Sequence, residues 1–325
     1  MRALIVKAYG PPEDLVLEEV EDPIPGEGEV IVDVHAAGIN FPDILMFAGK
    51  YQVRTPLPFI PGNEGCGVVS KLGEGVSRLT VGDKVFFLPM NGAFSEKIAV
   101  REDHTFPLPD GLSFDQGAGF PLTYCTSYHA LKDRAHLKPG ESVLVLGAAG
   151  GCGTTAVELS KAMGAHVIAA ASTDEKLEFS KSVGADETIN YSTSPLKESV
   201  KELTKGKGVD VVYDPVGGDL AEQALRASGW HSRYLVIGFA SGEIPRLPIN
   251  LALLKEASIT GVFSGQWAVL NPDLHLKNIQ EMVLMLKEGK LRPRITESYP
   301  IEDFVRAYED VAMRRIKGKT VFKIR

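Results

Sequence analysis

The sequence predicts an α/β protein made of a mostly β domain and a doubly wound parallel sheet. Three observations carry this. Short strand-like runs separated by turn residues fill the first third. Apolar runs alternate with amphipathic helices from 140 to about 260. A glycine-rich turn, GAAGGCG at 147–153, joins one such run to a helix.

The 325 residues are too many for one core, so two domains are expected. Over 1–125, EVIVDVHAAG (29–38) alternates as a half-buried strand does, and GCGVVSKLG (65–73) and DKVFFL (83–88) continue the β pattern. The pattern turns helical around 121–135, at LTYCTSYHALKD. From 140, ESVLVLG, HVIAAAS, VDVVYDPVG and RYLVIGFASG are apolar throughout, as strands buried on both faces are. Between them, TTAVELSKAMGA and EKLEFSKSVGA carry helical spacing, so right-handed crossovers close a parallel sheet. A long helix (NIQEMVLMLKEG), a final helix (FVRAYEDVAMRR) and a final strand (TVFKIR) follow.

Hydrophobic residues at 44% and charged residues at 24% suit a soluble globular protein. A net charge of -7 without a basic tail argues against nucleic acid as the main partner. No stretch approaches the roughly 20 apolar residues that span a bilayer. Cys66, Cys125 and Cys152 are far apart and form no CxxC pair, so neither a disulfide framework nor a structural zinc site is expected. With no leader-like start, a cytoplasmic setting is the expectation. The seven histidines form no spaced pair and read as satisfied or surface groups.

The strand-end turn at 147–153 is the strongest motif. Gly150 and Gly151 let the backbone approach a pyrophosphate, with Cys152 between them and Gly153, which lets the helix pack against the sheet. Ala148 replaces the usual first glycine. The next strand ends at Ser172, where an NAD enzyme commonly carries a carboxylate, and Lys176 follows four residues on. A hydroxyl and a cation suit a 2′-phosphate, so NADPH is the expected cofactor. Asp174 is expected to cap the following helix. Tyr191 ends the next strand, either beside the adenosine or as a strand-edge aromatic.

AAGINFPD (36–43), Tyr51 with LPFIPGNEGCGVV (57–69), VGDKVFF (81–87), GAAGGCG (147–153), GADETINY (184–191), VYDPVGG (212–218) and GKTVF (318–322) run in one order along the whole chain. In these segments it resembles the quinone oxidoreductase (zeta-crystallin-like) branch of the medium-chain dehydrogenase/reductase superfamily. The resemblance implies a GroES-like catalytic domain (1–125), an inserted Rossmann NADP-binding domain (126–262), a C-terminal return (263–325) and a cofactor in the cleft between domains. By motif position Asn40, Thr126, Gly150, Gly151, Cys152, Gly153, Ser172, Lys176, Tyr191, Phe239, Phe263 and Arg314 would line the cofactor. Zinc-dependent relatives carry Gly-His-Glu and a ligand cysteine where this chain has Gly62-Asn63-Glu64 and Gly38-Ile39-Asn40. A zinc-independent NADPH:quinone reductase is therefore implied, with no metal ligands.

An electron-poor acceptor asks for positioning more than for acid catalysis. Two catalytic roles are open to Asn40, orienting the nicotinamide ribose or donating to a substrate oxygen, beside a plain turn role. Tyr51 would donate to the developing oxyanion, or only pack. The alternatives are an enoyl or alkenal reductase, acrylyl-CoA-like in substrate, and a non-enzymatic NADPH-binding relative of the crystallin or RNA-binding kind. The run EASITGVFSG (256–265) reads as an open sheet edge, from which a homodimer with a continuous sheet is expected.

Overall fold

A computed structural model describes residues 1–325, and the chain divides into two compact units. One comprises Met1–Leu122 with Pro293–Arg325, the other Thr123–Arg292.

The first unit is built on a seven-stranded sheet. Its order is Ile295–Pro300, Lys319–Lys323, Glu29–Ile39, Gly65–Leu72, Lys84–Phe87 and Thr105–Pro107, with Lys97–Arg101 also pairing with Glu29–Ile39. The long strand Glu29–Ile39 is buried at Val30, Ile31 and Val32, alternates from Val32 to Ala36 and is buried on both faces from Ala36 to Ile39. Its Val30, Val32 and Val34 share one core with Phe87, Phe94 and Phe322. Each such buried side chain contributes about 1.5–3 kcal/mol. The C-terminal strand Lys319–Lys323 runs antiparallel to it, Thr320 opposite Ile39 and Lys323 opposite Ala36. The chain's last strand is thus an interior strand of the unit its first residues begin.

The second unit holds a six-stranded sheet, parallel throughout. Its order is Glu187–Asn190, His166–Ala171, Ser142–Leu146, Val209–Asp214, Ser228–Val236 and Ser258–Gly261. Taken in chain order this is 3-2-1-4-5-6, the doubly wound arrangement. The central strand Ser142–Leu146 has four wholly buried side chains, Val143 to Leu146, because helices cover both faces. An aspartate at Val145 would place an unpaired charge there, at a cost of several kcal/mol. Ser258–Gly261 lies at the open edge, as its apolar run and position in the series predict.

Two local expectations are corrected. The helix Asp174–Val183 is capped by Thr173, whose hydroxyl accepts from the Lys176 amide at 3.3 Å. Asp174 is its first helical residue and accepts from the Asn190 carboxamide at 2.7 Å. Residues 263–292, assigned by sequence to the C-terminal return, pack within the second unit. Polar ties on the helix Pro272–Lys287 explain this. Asn278 donates to Asp133 at 2.8 Å, Lys132 donates to Asn278 at 2.9 Å, and Tyr128 donates to Glu281 at 2.8 Å. The return begins at Pro293.

Candidate active site

In a parallel sheet every strand ends at the same edge, so the loops that follow the strands share it. In the second unit Gly150, Ser172, Tyr191, Phe239 and Phe263 all stand on such loops.

Gly147 leaves the central strand with φ +57°, which turns the chain into the helix Gly151–Ala162. A Cβ on Gly153 would lie 2.1 Å from the Gly147 carbonyl oxygen and 2.8 Å from the Ala148 Cα. Only hydrogen fits there, so the helix starts tight against the turn. Gly150 is the helix N-cap and is exposed, and Gly151 and Cys152 are half-buried. No side chain caps this end and no acidic residue occupies its first turn. The positive end of the helix dipole therefore meets no negative side chain of its own first turn. The Cys152 carbonyl instead faces inward, accepting from Thr155 at 3.0 Å and Ser127 at 3.3 Å. Ser127 is held at 2.8 Å from the buried Tyr213 hydroxyl.

Ser172 follows His166–Ala171, and its carbonyl accepts from Ser192 at 2.9 Å. Lys176 lies in the first turn of the next helix. The Tyr191 amide donates to the Ala171 carbonyl at 3.1 Å, which sets Tyr191 beside the Ser172 strand end. Ser172, Lys176 and Tyr191 are thus brought together by adjacent strands. The Thr126 and Ser264 hydroxyls meet at 2.9 Å, which places Thr126 next to Phe263, a residue 46% exposed. Phe239 rests against Gly217 at the end of the fifth strand in the series. Buried His129 bonds Asp133 at 2.9 Å and stacks on Trp267 at 4.0 Å, a satisfied histidine.

In the first unit Asn40 is buried at the start of the helix Phe41–Phe47. Its backbone N–H donates to Asp43 Oδ2 at 2.8 Å. Its carboxamide turns inward: Nδ2 donates to Glu64 Oε1 at 2.8 Å, and Oδ1 accepts from the Lys319 ammonium at 2.5 Å. Glu64 Oε2 accepts from the Leu122 amide at 2.8 Å. Asp43 is buried and also accepts from the Tyr308 hydroxyl at 3.0 Å. Burial is the main cause that pushes the Asp43 carboxyl up to about 7, against the lowering effect of the Asn40 amide. Tyr51 is half-buried, and burial followed by the nearby Asp43 raises its phenol above the ordinary range. Arg314 is exposed beyond the helix Phe304–Ala312, with φ +55°.

Asp43, Glu64 and Lys319 are the polar residues that sequence reasoning missed. A lysine before TVF at a strand start looks like a solvated flank. The signal was GKTVF itself, whose position opposite Ile39 only the sheet register reveals.

Residues 26–110 match the alcohol dehydrogenase GroES-like domain, and residues 151–278 match the zinc-binding dehydrogenase family. The chain is 38% identical over 312 residues to a bovine (Bos taurus) quinone oxidoreductase-like protein 2, covering 96% of this chain and 89% of that one. The Escherichia coli quinone oxidoreductase complexed with NADPH superposes with a TM-score of 0.92 at 30% identity, over 99% of this chain and 100% of that one. The CurK enoyl reductase superposes at 0.89 with 27% identity, over 99% and 98%.

The second family's name raises zinc, and the donor set here does not fit it. Asn40 and Asn63 offer neutral carboxamides, the latter donating to the Met90 carbonyl. Glu64 already has the Lys319 ammonium 2.6 Å away, which would repel a dication. Burial pushes the Cys66 thiol up, away from the thiolate a metal needs. No group of three His, Cys, Asp or Glu side chains could hold a metal ion. Domain matches, similarity along nearly the full length and a shared fold agree: the chain belongs to the quinone oxidoreductase branch of the medium-chain dehydrogenase/reductase superfamily.

Proposed function

We propose that this protein is a zinc-independent reductase that uses NADPH to deliver a hydride to quinones. The observation that carries the reading is the strand-end cluster of Ser172, Lys176 and Tyr191 beside an uncapped glycine-rich helix start. A carboxylate at Ser172 would repel a 2′-phosphate; a hydroxyl with a lysine one turn on suits it. The helix start offers N–H groups to the pyrophosphate, and Gly153 keeps the turn close enough to the sheet for that approach. Thr126, Phe239 and Phe263 flank the nicotinamide end, and Arg314 adds positive charge for the 2′-phosphate.

Bound NADPH supplies the hydride. Asn40 orients the nicotinamide ribose. Tyr51, kept neutral by its raised pKa, donates a hydrogen bond to the acceptor oxygen as charge builds on it. The protein acts as a homodimer joined through the open edge Ser258–Gly261, where the neighbouring Ile249 and Leu253 are each 79% exposed.

The test is NADPH oxidation with 1,4-benzoquinone, 9,10-phenanthrenequinone and crotonyl-CoA, each repeated with NADH. Turnover of the quinones with a clear NADPH preference is expected. Turnover of crotonyl-CoA alone would move the assignment to enoyl reduction, the activity named for the CurK neighbour. Tight NADPH binding without turnover of any acceptor would favour a non-enzymatic role.

A further inference from the structure

Asp174 brings a carboxylate to the strand end where Ser172, Lys176 and Tyr191 meet. It is the first residue of the helix Asp174–Val183, where a negative side chain suits the helix dipole. Turned towards a bound coenzyme, it would repel a 2′-phosphate and accept from the 2′-hydroxyl of NADH. The structure holds it in another direction. Asp174 Oδ1 accepts from Asn190 Nδ2 at 2.7 Å. Asn190 ends the strand Glu187–Asn190 and lies opposite Ala171. One orientation of its carboxamide satisfies both neighbours. Oδ1 accepts from the Ser192 N–H at 3.1 Å, and Nδ2 faces Asp174, which as a carboxylate only accepts. A flipped amide would set oxygen against oxygen at Asp174 and N–H against N–H at Ser192. Ser192 is itself fixed, because its hydroxyl donates to the Ser172 carbonyl at 2.9 Å. The sheet order sets the direction of the pull. His166–Ala171 lies between Glu187–Asn190 and Ser142–Leu146, and the glycine-rich turn follows the latter. A carboxylate bonded to Asn190 is therefore drawn to the side of the Ser172 strand end away from that turn.

We propose that Asn190 is a positioning residue for coenzyme choice, which holds the Asp174 carboxylate away from the adenosine ribose so that the strand end accepts a 2′-phosphate. This rests on the reading that Ser172, Lys176 and Tyr191 receive that phosphate. Released from Asn190, Asp174 turns back towards the ribose, where it repels NADPH and accepts from the 2′-hydroxyl of NADH.

The experiment is a double-variant cycle on the full chain, read as the ratio of the NADH and NADPH dissociation constants. Asn190→Ala removes the tether, Asp174→Ala removes the carboxylate it restrains, and a third variant carries both. Asp174 is exposed and Asn190 half-buried, so all three are expected to fold. Asn190→Ala should reduce the preference for NADPH about tenfold. Asp174→Ala should leave it within about threefold of the unaltered chain, and adding Asn190→Ala to Asp174→Ala should change it by less than about threefold. An unchanged preference in Asn190→Ala would overturn the proposal. An equal fall in the presence of Asp174→Ala would also overturn it, because Asn190 would then act by placing Tyr191. So would a rise of about tenfold in Asp174→Ala alone, since the tethered carboxylate would still be repelling the phosphate. The unaltered chain tests the underlying reading separately: if it binds NADH as tightly as NADPH, the 2′-phosphate site fails and the proposal falls with it.

Discussion

The Tyr308 hydroxyl lies 3.0 Å from Asp43 Oδ2, and both residues are buried, so a C-terminal helix is hydrogen-bonded to the first turn of an N-terminal one. The other Asp43 oxygen is buried without a partner. Burial pushes this carboxyl up to about 7, from an ordinary value of 3.8. A raised carboxyl contributes stability fully present below the unfolded value and lost as pH rises through the folded one. Asp43 should therefore weaken the fold progressively between about pH 4 and pH 7. In Asp43→Asn that loss is absent. The stability difference between variant and parent should move in the variant's favour by on the order of 4 kcal/mol across that window. Urea unfolding at pH 4 and pH 8 measures it, and a difference independent of pH would contradict the assignment.

Gly153 is expected to tolerate no side chain. A Cβ there meets backbone at the Gly147 oxygen and the Ala148 Cα, neither of which is a flexible side-chain end. Gly153→Ala should cost about 1–3 kcal/mol and weaken NADPH binding at the same time. Thermal melts paired with fluorescence titration would register both losses.

The coenzyme preference should follow the charge at the second strand end. Ser172→Asp is expected to lower NADPH affinity about tenfold or more while sparing NADH, because a carboxylate repels a 2′-phosphate and accepts from a 2′-hydroxyl. Lys176→Ala should weaken NADPH with little change in NADH. The ratio of kcat/KM for the two coenzymes is the readout.

Tyr51 separates a chemical role from a packing one. Its raised pKa keeps the phenol protonated past the ordinary value of 10, so no loss of activity from its ionisation is expected below that pH. Tyr51→Phe should reduce kcat about tenfold or more with the NADPH KM little changed. Unchanged turnover would assign Tyr51 to packing.

The proposed dimer rests on the open edge strand Ser258–Gly261 and its exposed apolar neighbours. Leu253→Lys, at a side chain 79% exposed, should shift the protein from dimer to monomer at micromolar concentration. Light scattering after gel filtration reads the mass directly. A monomeric parent protein would remove the dimer from the assignment.

Local chemistry alone determined the doubly wound sheet, its open edge and the glycine-rich helix start. Apolar runs and glycine spacing act over a few residues, so GAAGGCG and the strand end at Ser172 are readable one after another along the chain. Tertiary structure alone decided that residues 263–292 stay with the second unit, and that Asn40 is turned inward by Glu64 and Lys319. Lys319 stands 279 positions from Asn40. Such a pairing is set by the register of antiparallel strands from opposite ends of the chain, and burial of two opposite charges becomes tolerable only once that register has formed. No window of sequence contains both partners, and so none could have revealed that the amide had already spent its donors.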